Sequence, residues 1–177
     1  MTATLAASLR CMTSPIHVLA TGGTIDKVYA LTGDLEIGPP AVTDLLEIAG
    51  TDLEVVVEPI IGKDSLHFSD ADRATITARV AELGAAQVLI THGTDTMTYT
   101  AEHLIAHLDP DVARTVVLTG AMQPASMRDS DAAFNVGLAL GALQSLSPGV
   151  YIAMSGRVFP AGAVTKDRAR GRFVDRV

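Results

Sequence analysis

Three stretches of this chain collect hydroxyls, a carboxylate and an ammonium where packing alone would favour apolar side chains. The first is Thr21-Gly22-Gly23-Thr24-Ile25-Asp26. Its paired glycines allow a sharp turn and close approach of a ligand to the backbone. Three readings follow: a tight strand-end turn, a phosphate cradle, or a platform that presents Thr24 as a nucleophile. GxGxxG and GxxxxGK[ST] are both absent, which weakens the cradle. Tyr29 follows in a stretch containing Gly33, either as a mobile residue that folds over a site or as a half-exposed ring. The second stretch is Thr91-His92-Gly93-Thr94-Asp95-Thr96-Met97. Asp95 could cap the next helix. Alternatively, Thr94 is a hydroxyl donor or nucleophile, and the helix start stabilises negative charge beside it. His92 is not an obvious base, and no Ser-His-Asp arrangement is visible. The third stretch ends in Thr165-Lys166, and Lys166 taken alone reads as a solvated surface charge.

Two further loops complete the inventory. In Gly62-Lys63-Asp64-Ser65, Ser65 could cap a turn or hold a substrate carboxylate. In Thr119-Gly120-Ala121-Met122-Gln123-Pro124, a backbone group is the expected ligand contact. Hydroxyls, one carboxylate and one ammonium suit acyl transfer to a hydroxyl, which needs an activated nucleophile and a site for the oxyanion. No metal-ligand spacing and no cofactor fingerprint is present, so neither metal nor cofactor is expected.

The elements that must position these loops follow from the apolar pattern. Strands are expected over 16–20, 53–60, 87–91, 115–119 and 150–154, mostly as continuous apolar runs. Helices are expected over 42–49, 70–83, 97–108 and 130–146, with Ser69 as an N-cap and Gly84 as a C-cap. This alternation predicts an α/β fold: a mainly parallel sheet with helices on both faces, in a single Rossmann-like three-layer domain. Ligands in such folds sit beyond the carboxyl ends of the strands, where the polar loops lie.

Composition narrows the function further. The 177 residues carry a net charge of −7, which argues against nucleic-acid and membrane-surface partners. One cysteine excludes an internal disulfide. With no tryptophan and three tyrosines, stacking on bases or sugars is a poor fit. No apolar run approaches the roughly 18 residues of a membrane span. Residues 1–14 lack a cationic start and a sustained apolar stretch, and they read as a loose extension before a domain over 15–177. Cys11 falls in that extension, Met12 is a candidate natural start, and a cytoplasmic location follows by default.

At this point the motifs are recognisable. ATGGTID (residues 20–26) and ITHGTDTM (residues 90–97) resemble the two signatures of the bacterial-type L-asparaginases. GAMQP, DAAFN and VTKD extend the resemblance from Ile16 to about Asp167. It implies Thr24 as the primary nucleophile, with Tyr29 as its partner on a flexible flap. It implies Thr94, Asp95 and Lys166 as a second catalytic trio that tunes a threonine and an attacking water. Gly23, Asp64, Ser65, Gly93, Thr94, Asp95 and Ala121 become the substrate-binding set. Within it, Ser65 takes the α-carboxylate, Asp95 the α-ammonium, and the Ala121 carbonyl the amide. The implied reaction converts the small-molecule substrate L-asparagine to L-aspartate and ammonia, with weaker action on glutamine, in a homo-oligomer (dimer or tetramer). The alternative is a non-catalytic amino-acid-binding or amidotransferase-subunit domain that keeps the same scaffold.

Two departures from the family pattern carry expectations. The chain ends eleven residues after Lys166, whereas the family has a second domain that lends an acidic residue to a neighbouring subunit's site. A short form lacking that domain is therefore expected. Leu66 also stands where many relatives carry Gln. Loss of a charge-assisted contact costs about 1.5–3 kcal/mol, or roughly ten- to a hundredfold in affinity. Weaker substrate binding is expected, more so for glutamine.

Overall fold

The computed structural model describes residues 15–84 and 87–176. The extension over 1–14, with Cys11 and Met12, lies outside the described residues. In chain order the elements are β1 (Ile16–Gly22), β2 (Lys27–Tyr29), β3 (Leu35–Ile37), α1 (Val42–Ala49), β4 (Val55–Lys63), α2 (Asp70–Glu82) and β5 (Gln87–Thr91). They continue as α3 (Met97–His107), β6 (Thr115–Thr119), α4 (Ala132–Leu143), β7 (Gly149–Met154), β8 (Arg157–Pro160), β9 (Val164–Asp167) and β10 (Arg172–Asp175). The main sheet runs β4-β1-β5-β6-β7-β8, parallel except for β8, which is antiparallel to β7.

Alternation along each central strand feeds two cores. Val88 and Ile90 of β5 join Val116 and Leu118 of β6 in one fully buried cluster, together with Ile76 and Val80 of α2 and Ala101 and Leu104 of α3. Leu89 and Val117 point the other way, into a cluster with Val42 of α1 and Ala132, Val136 and Ala139 of α4. Each fully buried aliphatic side chain contributes about 1.5–3 kcal/mol relative to exposure. Strands buried on both faces explain why their sequences read as unbroken apolar runs. The expected mainly parallel sheet with helices on both faces is what the chain forms.

The order of the parallel strands places β1 at the point where the connections reverse direction. From β1 the chain moves to β4, and from β4 it crosses back over β1 to β5. The carboxyl ends of β1 and β5 therefore open a crevice where doubly wound folds bind ligands. The Thr24 loop and the Thr94 loop leave those two ends. No described helix is long and apolar enough to cross a membrane.

Several boundaries shift for physical reasons. The strand expected over 53–60 starts at Val55 and continues to Lys63, because Gly22 pairs with Lys63 past an irregularity after Ala20. Helix α2 begins at the Ser69 cap, which is reciprocated by Asp72, but its last cap is Leu83. Gly84 lies one residue beyond, with φ +60°, where glycine relieves the left-handed strain. The helix expected over 130–146 is shorter, because the Ser130 hydroxyl is engaged with the Gln123 carbonyl and the Ala132 amide. The segment after β7 forms three short strands rather than one loop, and the Tyr29 segment forms the β2–β3 hairpin.

Candidate active site

Glycines let the site loops touch backbone to backbone. A Cβ on Gly23 would collide with the backbone of Gly93, and one on Gly93 would stand 2.5 Å from the Ser65 Oγ. The Gly23 amide donates to the Lys63 carbonyl at 3.0 Å. Threonines tie the same strands together. The Thr21 hydroxyl donates to the Thr91 carbonyl at 2.8 Å, and the Thr96 hydroxyl donates to the Ser65 carbonyl at 2.9 Å. The loops after β1, β4 and β5 thus meet along one seam.

Lys166 reaches this seam from β9. Val164 and Phe173, on the paired strands β9 and β10, are buried in the α2–α3 core and anchor the ribbon. Lys166 sits two residues beyond Val164, on the same face, so its side chain also turns inward. Its Nζ donates to Thr94 Oγ1 at 2.7 Å and to Asp95 Oδ1 at 2.9 Å. Thr94 is buried, and the Lys166 side chain is only 14% exposed. Arg168 stands farther from the same carboxylate oxygen, at 3.9 Å, on a more exposed side chain. An ammonium fixed against a buried hydroxyl favours negative charge developing on that oxygen.

A model of the asparaginase N-terminal domain matches residues 15–173. The chain belongs to the asparaginase family. It is 33% identical over 154 residues to a subunit of the glutamyl-tRNA(Gln) amidotransferase of Methanococcus vannielii, covering 81% of this chain and 34% of that one. It is also 33% identical over 164 residues to an L-asparaginase of Thermococcus kodakarensis, covering 87% of this chain and 48% of that one. The solved thermostable L-asparaginase from Thermococcus kodakarensis superposes with a TM-score of 0.81 at 30% identity, covering 91% of this chain and 51% of that one. The chain therefore spans about a third to a half of the length of these relatives.

Against the asparaginase pattern, the expected residues divide into those already assembled and those still apart. Thr94, Asp95 and Lys166 form one hydrogen-bonded cluster. Gly23, Gly93 and Ser65 meet at the seam. Ser65 is 1% exposed, and its hydroxyl has no hydrogen-bond partner among the described residues. Such an orphaned group is costly unless something polar arrives to pair with it. Asp64 is engaged otherwise: Oδ2 pairs with Lys27 Nζ at 2.7 Å, and Oδ1 accepts the Leu66 amide at 3.1 Å. Burial pushes its pKa up, but the Lys27 contact and the Leu66 amide together outweigh that and hold the carboxyl below the usual range.

Thr24 begins a 3-10 turn after β1 and is partly buried. Tyr29 does not meet it. That ring is 67% exposed on β2, paired with Leu35 of β3, and no hydrogen bond joins it to Thr24. His92 is fully buried with both nitrogens occupied. Nδ1–H donates to the Gly93 carbonyl at 2.7 Å, and Nε2 lies 2.8 Å from the Thr100 hydroxyl. Burial pulls its pKa down to about 4, so the ring is neutral and Nε2 accepts from Thr100. Its task is to brace the loop against α3.

Sequence reasoning missed the device that shapes the Ala121 loop. Asp131 turns its carboxylate away from the α4 backbone and accepts the Met122 and Gln123 amides at 2.9 and 3.1 Å. Asn135, one helical turn later, donates to the Asp131 carboxylate and to the Gly120 carbonyl, and accepts the Ser155 amide. A buried Asn four residues after an Asp on an otherwise apolar helix was the available signal.

Proposed function

We propose that this chain hydrolyses the side-chain amide of L-asparagine through a threonine ester, and that it acts more weakly on glutamine. The observation that carries this reading is the Lys166 ammonium held on both Thr94 and Asp95, beside the seam that brings the Thr24 loop against Gly93. In the first step the Thr24 hydroxyl oxygen attacks the amide carbon and the C–N bond breaks. The hydroxyl proton leaves on the departing ammonia. In the second step water, positioned by Thr94 and the Lys166–Asp95 pair, attacks the ester. The C–O bond breaks, one water proton returns to the Thr24 oxygen, and aspartate departs. A hydroxyl is a weak nucleophile at neutral pH, so stabilisation of the charge developing on oxygen is the main help required. Asp95 is also the expected partner of the substrate ammonium, and the orphaned Ser65 hydroxyl the partner of its carboxylate. Tyr29 joins Thr24 when the β2–β3 hairpin closes.

The test is ammonia release by the purified chain from asparagine and from glutamine, with Thr24→Ala and Thr94→Val alongside. Turnover favouring asparagine, with each variant at least about a thousandfold slower, supports the reading. Leu66 predicts a weak Michaelis constant, and a low micromolar value with equal glutaminase activity overturns the specificity. A second reading is favoured by the likeness to an amidotransferase subunit: the site releases ammonia for a partner protein. That reading predicts faster turnover once such a partner is added. The homo-oligomer remains part of the first reading. Sedimentation as a particle heavier than the 18.4 kDa chain supports it, and a monomer at micromolar concentration overturns it.

A further inference from the structure

The opposite end of the sheet holds an arginine that the asparagine chemistry does not use. Arg114 precedes β6 and is 6% exposed. Its Nε and Nη1 are shielded from solvent and have no hydrogen-bond partner among the described residues. Among the described residues, Arg73, Arg79, Arg157 and Arg176 all lie within 4 Å of a carboxylate, and Arg114 does not. Nη2 of Arg114 is not among the shielded nitrogens and is the one left open to a ligand, and a guanidinium left without an acceptor is costly.

Arg114 lines a cavity of about 260 Å³ between the end of α3 and the starts of β6 and β7. The remaining wall is mainly apolar, from Leu104, Ile105, Leu108, Val112, Pro148 and Val150. Asp109 also borders the cavity, but its Oδ1 accepts the Asp111 amide at 2.9 Å and no ion pair joins it to Arg114. The Arg114 carbonyl accepts the Gly149 amide at 2.8 Å, so the backbone beneath the guanidinium is fixed. β6 is five residues long, which at the usual rise per residue puts this cavity about 17 Å from the Thr94 end.

We propose that this cavity is a binding site for a small organic monoanion: a carboxylate that pairs with Arg114 and an aliphatic body that lies on the apolar wall. A single guanidinium matches one negative charge, and the apolar lining rewards a hydrocarbon tail. Inorganic phosphate offers no tail and would shed its hydration against a largely apolar wall, so it is the weaker ligand.

The test is calorimetric titration of the full chain with hexanoate, with hexanamide and inorganic phosphate as separate arms. Hexanoate is expected to bind saturably with a Kd of about 1 mM, and the other two at least tenfold more weakly. Arg114→Gln is expected to weaken hexanoate at least tenfold. Should that variant fail to fold, Ile105→Trp fills the mouth of the cavity from a half-exposed position and is expected to weaken binding as much. Saturating aspartate, the proposed product, is expected to leave hexanoate binding unchanged, so the result is independent of the proposed hydrolysis. Absence of saturation, equal binding of hexanamide or phosphate, or hexanoate binding untouched by either variant overturns the proposal.

Discussion

The two halves of the candidate active site differ in how finished they are. On one side Lys166 donates to both Thr94 and Asp95, and the elements that carry the three are rooted in the core through Met97, Val164 and Phe173. On the other side Thr24 opens onto a two-stranded hairpin whose Val28, Tyr29, Leu31 and Leu35 are exposed. Two strands of three residues with no core beneath them are marginal on their own. The difference teaches a division of labour. On the proposed reading, charge placement is built in before substrate arrives, and the hairpin beside Thr24 is the part expected to move.

The largest expected effect tests the finished half. Lys166→Met keeps the length of the side chain and removes its charge. Ammonia release should fall by about a thousandfold or more. The melting temperature should move by only a few degrees, because the Asp95 side chain left behind is 33% exposed and can be solvated, and Val164 and Phe173 still anchor β9. A variant that kept its activity would mean that the pre-built cluster is structural, and the contrast between the halves would collapse.

The seam between the halves comes next. Gly23→Ala drives a Cβ into the Gly93 backbone at a residue whose φ is +84°. Both the clash and the conformation are unfavourable, and together they should cost about 3–4 kcal/mol. For a domain of this size that lowers the melting temperature by about 6–16 °C. A fully stable Gly23→Ala chain would show that the loops can separate at little cost.

A third test reads the root of the hairpin through pH. Asp26 is buried, its Oδ1 accepts the Ala41 amide at 2.9 Å, and its carbonyl accepts the Gly38 amide at 2.8 Å. Burial raises its pKa from 3.8 to about 6, against the opposing amide hydrogen bonds from Ala41 and Gly22. The folded state therefore binds the proton more tightly than the unfolded state. Its contribution to stability is fully present below pH 3.8 and is lost as pH rises through about 6. The loss amounts to about 2–3 kcal/mol. Denaturant unfolding of wild type and Asp26→Asn should show a stability difference that changes by this amount between about pH 4 and 7. Parallel pH profiles would place the titration elsewhere.

How much of this was legible in sequence depends on what each residue is asked to do. Strands 87–91 and 115–119 were readable to the residue, because burial on both faces leaves an unbroken apolar run and the polar loops begin where the run stops. The short strands β2, β3 and β8 to β10 were not, because each is held by pairing with a neighbour and has too few residues for a period of two to stand out. Thr94 and Asp95 were conspicuous beside each other. Lys166 was not, since a lysine 71 residues away from Asp95 reads as a surface charge until β9 and β10 turn it inward. The family resemblance, not spacing, reversed that reading. Asp131 and Asn135 escaped because a polar pair at the start of a helix ordinarily reads as a cap, and here it holds another loop. Arg114 escaped for the converse reason: nothing in a sequence reveals that an arginine will be buried without a partner.

The smallest expected effect probes the unfinished half. Tyr29 is too exposed for its hydroxyl to matter to folding, so Tyr29→Phe should leave the melting temperature unchanged. If the hairpin closes over Thr24 during turnover, the phenolic hydroxyl gains a partner only in the closed state. A contact absent from the resting protein and present near the transition state appears in kcat rather than in KM. The expected result is a kcat about tenfold lower with KM nearly unchanged, the size of one neutral hydrogen bond. An unchanged kcat would mean that Thr24 reacts without the hairpin's hydroxyl, leaving the hairpin to exclude water. A raised KM with kcat intact would instead put Tyr29 in substrate capture, and the open half would then be a binding gate rather than part of the chemistry.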